Sequence, residues 1–300
     1  MAAGRPLHVH KQDRRDHNLR NLSAVGALVA GGIGIVLAGG APGVPLWLYL
    51  PLASFLLGCL YMGLFVLVVH EASHDMFLLT ADRARLRPVN RLAGNIVGAV
   101  FFTDYVRHWE VGHTLHHTKC LMPEDPQDGK QDGLRSLRRS VAILLTVPFS
   151  FVAFNPSRRY PGHLRRSLVG VAIWLPLLAA AGLIGGWAAP VAMLGGFHVL
   201  ALLNLLKKVR EHGGLESLPH QGLRSRTWFH PLSALIAPFH LNHHFEHHAH
   251  PKVPWYLLPE YHRRCRELMP AEVQEFYFVD AKPVQLRHPP VPDGATVGVR

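Results

Sequence analysis

A chain of 300 residues holds one domain of ordinary size or two small ones. It is 49% hydrophobic and 17% charged, against roughly 25% charged in an average soluble domain, and its mean hydropathy is +0.12. That value excludes a chain made wholly of membrane helix and fits a few hydrophobic spans carrying a sizeable polar part. The formal net charge of +11 does not point to nucleic acid, because most Lys and Arg flank apolar stretches rather than forming a basic face with aromatic platforms. Cys59, Cys120 and Cys265 have no CxxC spacing, which argues against a disulfide framework and a thiolate zinc site. The N-terminus is polar through Asn21, which does not fit a cleaved signal peptide.

In chain order, a polar segment, 1–21, precedes four stretches apolar and long enough to approach the ~20 residues a bilayer core requires. They run over Leu22–Gly39, Leu46–Val69, Leu168–Gly185 and Ala188–Leu206. Short uncharged connections, residues 40–45 and the turn near Gly185-Gly186-Trp187, make each consecutive pair read as a helical hairpin. Arg5, Lys11, Arg14, Arg15 and Arg20 precede the first span, and Arg83, Arg85, Arg87 and Arg91 follow the second. Arg158, Arg159, Arg165 and Arg166 precede the third, and Lys207, Lys208 and Arg210 follow the fourth. Lys and Arg accumulate on the cytoplasmic side, so both termini and all these flanks are expected in the cytosol.

Two further apolar runs are expected to lie in the interface rather than cross. Val141–Phe154 is short, is broken by Pro148 and has arginines at both ends; as a span it would invert every later element. Pro88–Phe102 places Val89, Leu92, Ala93, Ile96 and Val97 at helical spacing. Residues 22–282 therefore read as one membrane domain, and the proline-bearing tail, 283–300, as disordered. The predicted fold class is all-α integral membrane, with two hairpins, interfacial helices and a cytosolic histidine-rich cap.

Histidine is the outlier, with 22 residues. His70-Glu71-Ala72-Ser73-His74 has an i, i+4 pair where the second span ends. His113-Thr114-Leu115-His116-His117 and His244-Phe245-Glu246-His247-His248 each place three rings at i, i+3, i+4, on one helical face. His212 follows the fourth span. One HxxxH pair is common on helices that bind nothing, but three such clusters at span ends on one side are hard to obtain otherwise. Packing gains little from them, because clustered imidazoles repel once protonated and cost desolvation when buried. Nine histidines exceed the shell of a single ion and imply two. Imidazole suits zinc, copper, iron and nickel; a thiolate-free, all-nitrogen pair of redox metals points to iron and oxygen chemistry, with zinc and copper left open by spacing alone.

The boxes HEASH, HTLHH and HFEHH, in that order around two hydrophobic hairpins, resemble the membrane fatty acid desaturase and hydroxylase superfamily. Thr118, Glu124-Asp125-Pro126 and Asp128 resemble the continuation of that family's second box. Asn242-His243 and Pro251, Val253-Pro254 and Leu258-Pro259 resemble the surroundings of its third. The resemblance implies two non-haem irons held by His70, His74, His113, His116, His117, His212, His244, His247 and His248, with dioxygen as co-substrate. It implies desaturation of an acyl chain, or hydroxylation or ketolation by similar boxes. In some members an asparagine stands four residues before the extra histidine; here that position is Lys208. The run at His240, His243, His244, His247 and His248 permits a second register, His240-Leu241-Asn242-His243-His244, and the downstream prolines favour the later one.

Glu71, Asp75, Glu110, Asp125, Asp128 and Glu246 are candidates to accept the ring N–H opposite the metal. His108 and His250 flank their boxes off the spacing, and His8, His10, His17, His220, His230 and His288 read as surface residues. His198, within the fourth span, faces either protein or the metal cavity. Gly58, Gly63 and Gly195-Gly196 permit close helix packing. The reaction needs two electrons, and no GxGxxG element or haem or iron–sulfur motif is visible. A separate donor of ferredoxin, rubredoxin or cytochrome type is expected, docking on basic residues such as Lys119, Arg135, Arg138 and Arg139. A non-enzymatic metal binder or transporter is the rival from another class; it would place its ligands near the midplane of the spans.

Overall fold

The computed structural model describes residues 2–127, 134–216, 218 and 220–279. In chain order the helices are α1 (Arg14–Gly39), α2 (Leu46–Ser73), α3 (Arg83–Val100), α4 (Gly112–Lys119), α5 (Leu134–Thr146), α6 (His163–Gly185) and α7 (Ala188–His212). Short helices α8 (Ser233–Ile236), α9 (His244–Ala249), α10 (Leu258–Leu268) and α11 (Ala271–Tyr277) follow. Asp128 and His288 lie outside the described residues, as do the tail 283–300 and the side chain of Arg135.

Helices α1, α2, α6 and α7 are long and apolar enough to cross a membrane, and they make this a membrane protein. Their outward faces expose Leu22, Val29, Ile33, Leu37, Leu168, Leu175 and Leu183, which costs nothing when the surrounding solvent is hydrocarbon. Contact between α2 and α7 is the most extensive in the molecule. It depends on small residues, because a methyl group added at Gly58 would collide with Val199 and lie 3.0 Å from the Gly196 carbonyl. Tyr61, Phe101, Trp174 and Phe197 form an aromatic cluster between α2, α6 and α7.

The run Val141–Phe154 does not form a spanning helix. Helix α5 stops at Thr146, Phe149 adopts a left-handed conformation (φ 58°), and short turns return the chain to α6. His198 holds this reversal: its Nδ1 donates to Leu144 O at 2.9 Å and its Nε2 accepts from Phe149 N at 3.1 Å. The intramembrane histidine therefore serves a chain reversal.

The helix α1 begins at Arg14, capped by Asp13, whose carboxylate accepts from Asp16 N at 2.9 Å. The added turns carry a clamp. Asn21 donates to Phe77 O (2.8 Å) and accepts from Trp255 Nε1 (2.8 Å). His17 Nε2 donates to Met76 O (2.6 Å), leaving Nδ1 to accept from Tyr256 OH (3.0 Å). Asn18 exchanges two bonds with the backbone of Leu79. His17, read from sequence as a surface residue, is 1% exposed: its polar neighbours suggested water, but the chain after α2 folds back over it. The clamp ties α1 to the segments that follow the first and third histidine boxes.

Beyond the spans, Leu7 packs on Val253, Leu258 and Tyr261, and Val9 N donates to Lys252 O at 2.8 Å. A two-residue parallel pair, Thr227–Trp228 with Phe278–Val279, closes this polar end.

Candidate metal centre

Each histidine group is set by a distinct backbone device. The end of α2 widens into a π-helical turn, Phe65–His70, before the α-helical turn Glu71–Ser73. His74 caps that turn, and Asp75, at φ 57°, sends the chain away. A second π-helical turn, Tyr105–Val111, precedes α4 and its three histidines. Such turns rotate the side chains that follow relative to an unbroken α-helix. His244, His247 and His248 come from α9, and His212 is the last residue of α7.

These elements bring together all nine histidines singled out from the sequence. His70, His74, His113 and His247 form one group and His116, His212, His244 and His248 another, with ligand atoms in each group within 4.8 Å of one another. His117 lies between them: its Nε2 is 3.1 Å from His113 Nε2, and its ring centroid is 4.3 Å from that of His248. Within the groups, His70 Nε2 is 3.0 Å from His247 Nε2, and His244 Nε2 is 3.0 Å from His212 Nε2. His240 and His243 stay outside, against Trp255 and His262 respectively. The structure thus gathers the residues of the later register of the third box.

Partners on Nδ1 aim four rings. His70 Nδ1 faces Glu71 Oε1 (3.2 Å), and His113 Nδ1 donates to Gln127 Oε1 (2.8 Å). His116 Nδ1 donates to Asp125 Oδ2 (2.8 Å), and His212 Nδ1 to Arg224 O (2.8 Å). With Nδ1 carrying the proton, each Nε2 presents its lone pair inward, the arrangement a metal ligand requires.

All nine rings are buried. Burial pushes His74, His116, His117, His244, His247 and His248 well below their ordinary pKa, and the charges of neighbouring imidazoles add to the effect. Burial likewise lowers His113, to about 3, against the opposing bond from Gln127. Neutral imidazole is the metal-binding form.

The donor set fits metal ions. Among the described residues, neither ring nitrogen of His248 has a hydrogen-bond partner, nor has His74 Nε2. Buried polar atoms without partners are costly, and lone pairs converging within each group are what a cation would satisfy. Near by, four carboxylates are buried: Glu71, Asp125, Glu211 and Glu246. Ionised, they would offset the positive charge of metal ions held by neutral rings.

The carboxylate candidates divide accordingly. Glu71 and Asp125 touch site rings. Glu110 instead pairs with Arg87 and Arg91, and Asp75 lies 4.0 Å from Lys252. Glu246 accepts from His262 Nδ1 at 2.6 Å and from Thr227 Oγ1. His108 is buried beside Trp109 and Tyr160, and His250 bonds His8 at 3.1 Å. Sequence reasoning missed Gln127, Glu211 and Arg224. Gln127 lies two residues after Asp125 and Glu211 immediately before His212, but neither follows a spacing rule. Arg224 acts through its backbone, which no side-chain pattern reports. Lys208 Nζ donates to Gln127 O at 3.0 Å.

An apolar cavity of about 290 Å³ lies between the spans, lined by Leu28, Leu57, Leu64, Phe101, Trp174 and Ala181 among others. One aromatic layer separates it from the histidines: Phe65 packs edge-on to Phe101 (5.3 Å) and Trp109 (4.9 Å). Trp109 in turn lies 5.1 Å from His113 and 6.1 Å from His70.

Spans of membrane length, ending in buried histidine groups able to hold metal ions, define a helical membrane protein with a histidine-rich polar end. Residues 45–279 match the family model for fatty acid desaturase, and the chain belongs to that family of membrane oxidoreductases. It is similar to the zeaxanthin 4-ketolase of Chlamydomonas reinhardtii, 25% identical over 234 residues, covering 74% of this chain and 45% of that protein. The chain thus spans less than half of that relative's length. Helix α1, with the clamp residues His17, Asn18 and Asn21, lies outside the residues that match the family.

Proposed function

We propose that this chain is an O2-dependent di-iron oxidase acting on an unactivated C–H bond of a membrane-dissolved hydrocarbon, with acyl-chain desaturation as the first reading. The observation that carries it is the convergence of nine buried imidazoles into two four-histidine groups with His117 between them. In this reading His70, His74, His113, His116, His117, His212, His244, His247 and His248 hold two irons. Bound there, iron would supply the reduction of dioxygen and the oxidising power that C–H cleavage needs.

The chain's own residues do the rest. Glu71, Gln127, Asp125 and the Arg224 carbonyl fix ring tautomers. The intramembrane cavity takes apolar substrate, and its aromatic wall keeps water from the histidines. Desaturation consumes one O2, two electrons and two protons, removes two hydrogens from adjacent carbons and releases two waters. The electrons come from a carrier of ferredoxin, rubredoxin or cytochrome type. The exposed cations Lys119, Arg138 and Arg139 offer such a carrier a docking charge. The basic flanks of all four spans support a cytosolic position for the histidine groups and both termini.

A second reading is hydroxylation or ketolation of a lipid, in which oxygen is retained in the product. It is favoured by the name of the ketolase relative. The transporter reading has less support, because the histidines gather where α2 and α7 end rather than within the spans.

The test uses membranes from cells expressing the native chain and a His247→Ala, His248→Ala double variant, with metal analysis and mass spectrometry of extracted lipids and pigments. Iron with a product two hydrogens lighter, in the native sample alone, supports desaturation. Iron with a product carrying added oxygen moves the assignment to the second reading. Zinc or no metal, with unchanged extracts, overturns the oxidase.

A further inference from the structure

Glu211 is buried, with 0% exposure, on the last turn of α7 immediately before His212. Its Oε2 lies 3.4 Å from His244 Nε2. That same nitrogen is 3.0 Å from His212 Nε2, and His212 Nδ1 is already committed to the Arg224 carbonyl. His212 therefore presents a lone pair from Nε2, and the nearest nitrogen of His244 faces the same point. Glu211 Oε2 is the oxygen that approaches this pair. Two donors of one ion, each about 2.1 Å from it, stand about 3.0–3.5 Å apart. Both spacings here, between His212 and His244 and between His244 and Glu211, fall in that range.

His117 stands between the groups, its Nε2 3.1 Å from His113 Nε2 and its ring centroid 4.3 Å from that of His248. The carboxylate approaches the group formed by His116, His212, His244 and His248. We propose that Glu211 is a further protein donor at that position, a carboxylate ligand making the two metal positions chemically unlike: a carboxylate oxygen beside imidazoles at one, imidazoles alone at the other. This rests on the di-iron reading above. Lys207, one turn earlier on α7, donates to Oε2 at 2.6 Å and orients the carboxylate. The anion also offsets charge at this position, as a neutral ring cannot.

The experiment compares the full-length native chain with Glu211→Gln and Glu211→Ala, each loaded with ⁵⁷Fe in detergent micelles, by iron analysis and Mössbauer spectroscopy of the reduced state. The native protein should show two inequivalent ferrous doublets. In Glu211→Ala one doublet is lost and iron falls by roughly half. In Glu211→Gln, which keeps the volume and an oxygen for Lys207, one doublet shifts and the other stays. Full iron content with both doublets unaltered in Glu211→Gln overturns the proposal and leaves Glu211 as the ion-pair partner of Lys207. That comparison stands even where Glu211→Ala does not fold. A native chain that takes up no iron overturns the di-iron reading as well, and is distinguished by the absence of both doublets before any substitution.

Discussion

Asp125 and His116 form a buried pair, carboxylate Oδ2 to ring Nδ1 at 2.8 Å, and the other oxygen of Asp125 accepts from the Gln127 amide at 2.8 Å. The aspartate thus orients His116 and also shapes the loop whose Gln127 orients His113. One residue controls a ring in each group. Asp125→Ala should weaken metal binding by about 10–100-fold, measured by competition with a chelator of known affinity. Asp125→Asn, which keeps an acceptor, should lose less. Unchanged affinity in both variants would remove Asp125 from the site.

The clamp of α1 should be a large contributor to stability. Asn21→Leu leaves the Phe77 carbonyl and the Trp255 indole N–H without their partner in a buried setting, a change costing about 2–4 kcal/mol. A lowered unfolding temperature in micelles checks it, with Asn18→Ala, at a half-buried position, as the milder comparison. Equal stability of Asn21→Leu and native protein would mean that water reaches these groups.

Filling the cavity should separate binding from metal content. Ala181 is buried and lines the space between the spans. Ala181→Phe should raise KM for the hydrocarbon substrate by about tenfold, while iron per chain stays at the native value. An unchanged KM would place the substrate elsewhere.

Acid should destabilise the metal-free protein. Burial lowers His113 to about 3 and His243 to about 4, below the ordinary value of about 6.5. Between those limits the unfolded chain binds more protons than the folded one, so stability rises with pH through this window. The contribution is complete above about 6.5 and is lost progressively as pH falls toward 3 to 4. Unfolding temperatures of chelator-treated protein should drop from pH 8 to pH 5, and added metal should reduce that drop, because bound metal competes with protons. A flat profile would contradict the burial of these rings.

Much of this was legible from the chain alone. Hydrophobic length marks the four spans, and i, i+3, i+4 spacing places the rings of each box on one helical face, because both are local properties of a helix. Pro148 and its flanking arginines already argued against a crossing at Val141–Phe154. Spacing could not say which box meets which. The association of His70 and His74 with His247, and of His116 with His212, arises from packing between segments distant in the chain.

The sequence by itself determined which residues are available for metal, that they cluster near the ends of apolar spans, and the family to which the chain belongs. Tertiary structure decided the division into two groups, with His117 between them, and the π-helical turns that aim the first two boxes. It also decided the partners on each ring: Gln127, Asp125 and a backbone carbonyl at Arg224. His17 and His198 show the physical reason. Each is a lone histidine with no informative spacing, and its role exists only because a distant backbone carbonyl, of Met76 or of Leu144, is brought within hydrogen-bond distance. Periodicity reports the face a side chain occupies; what meets that face is set by how the whole chain packs.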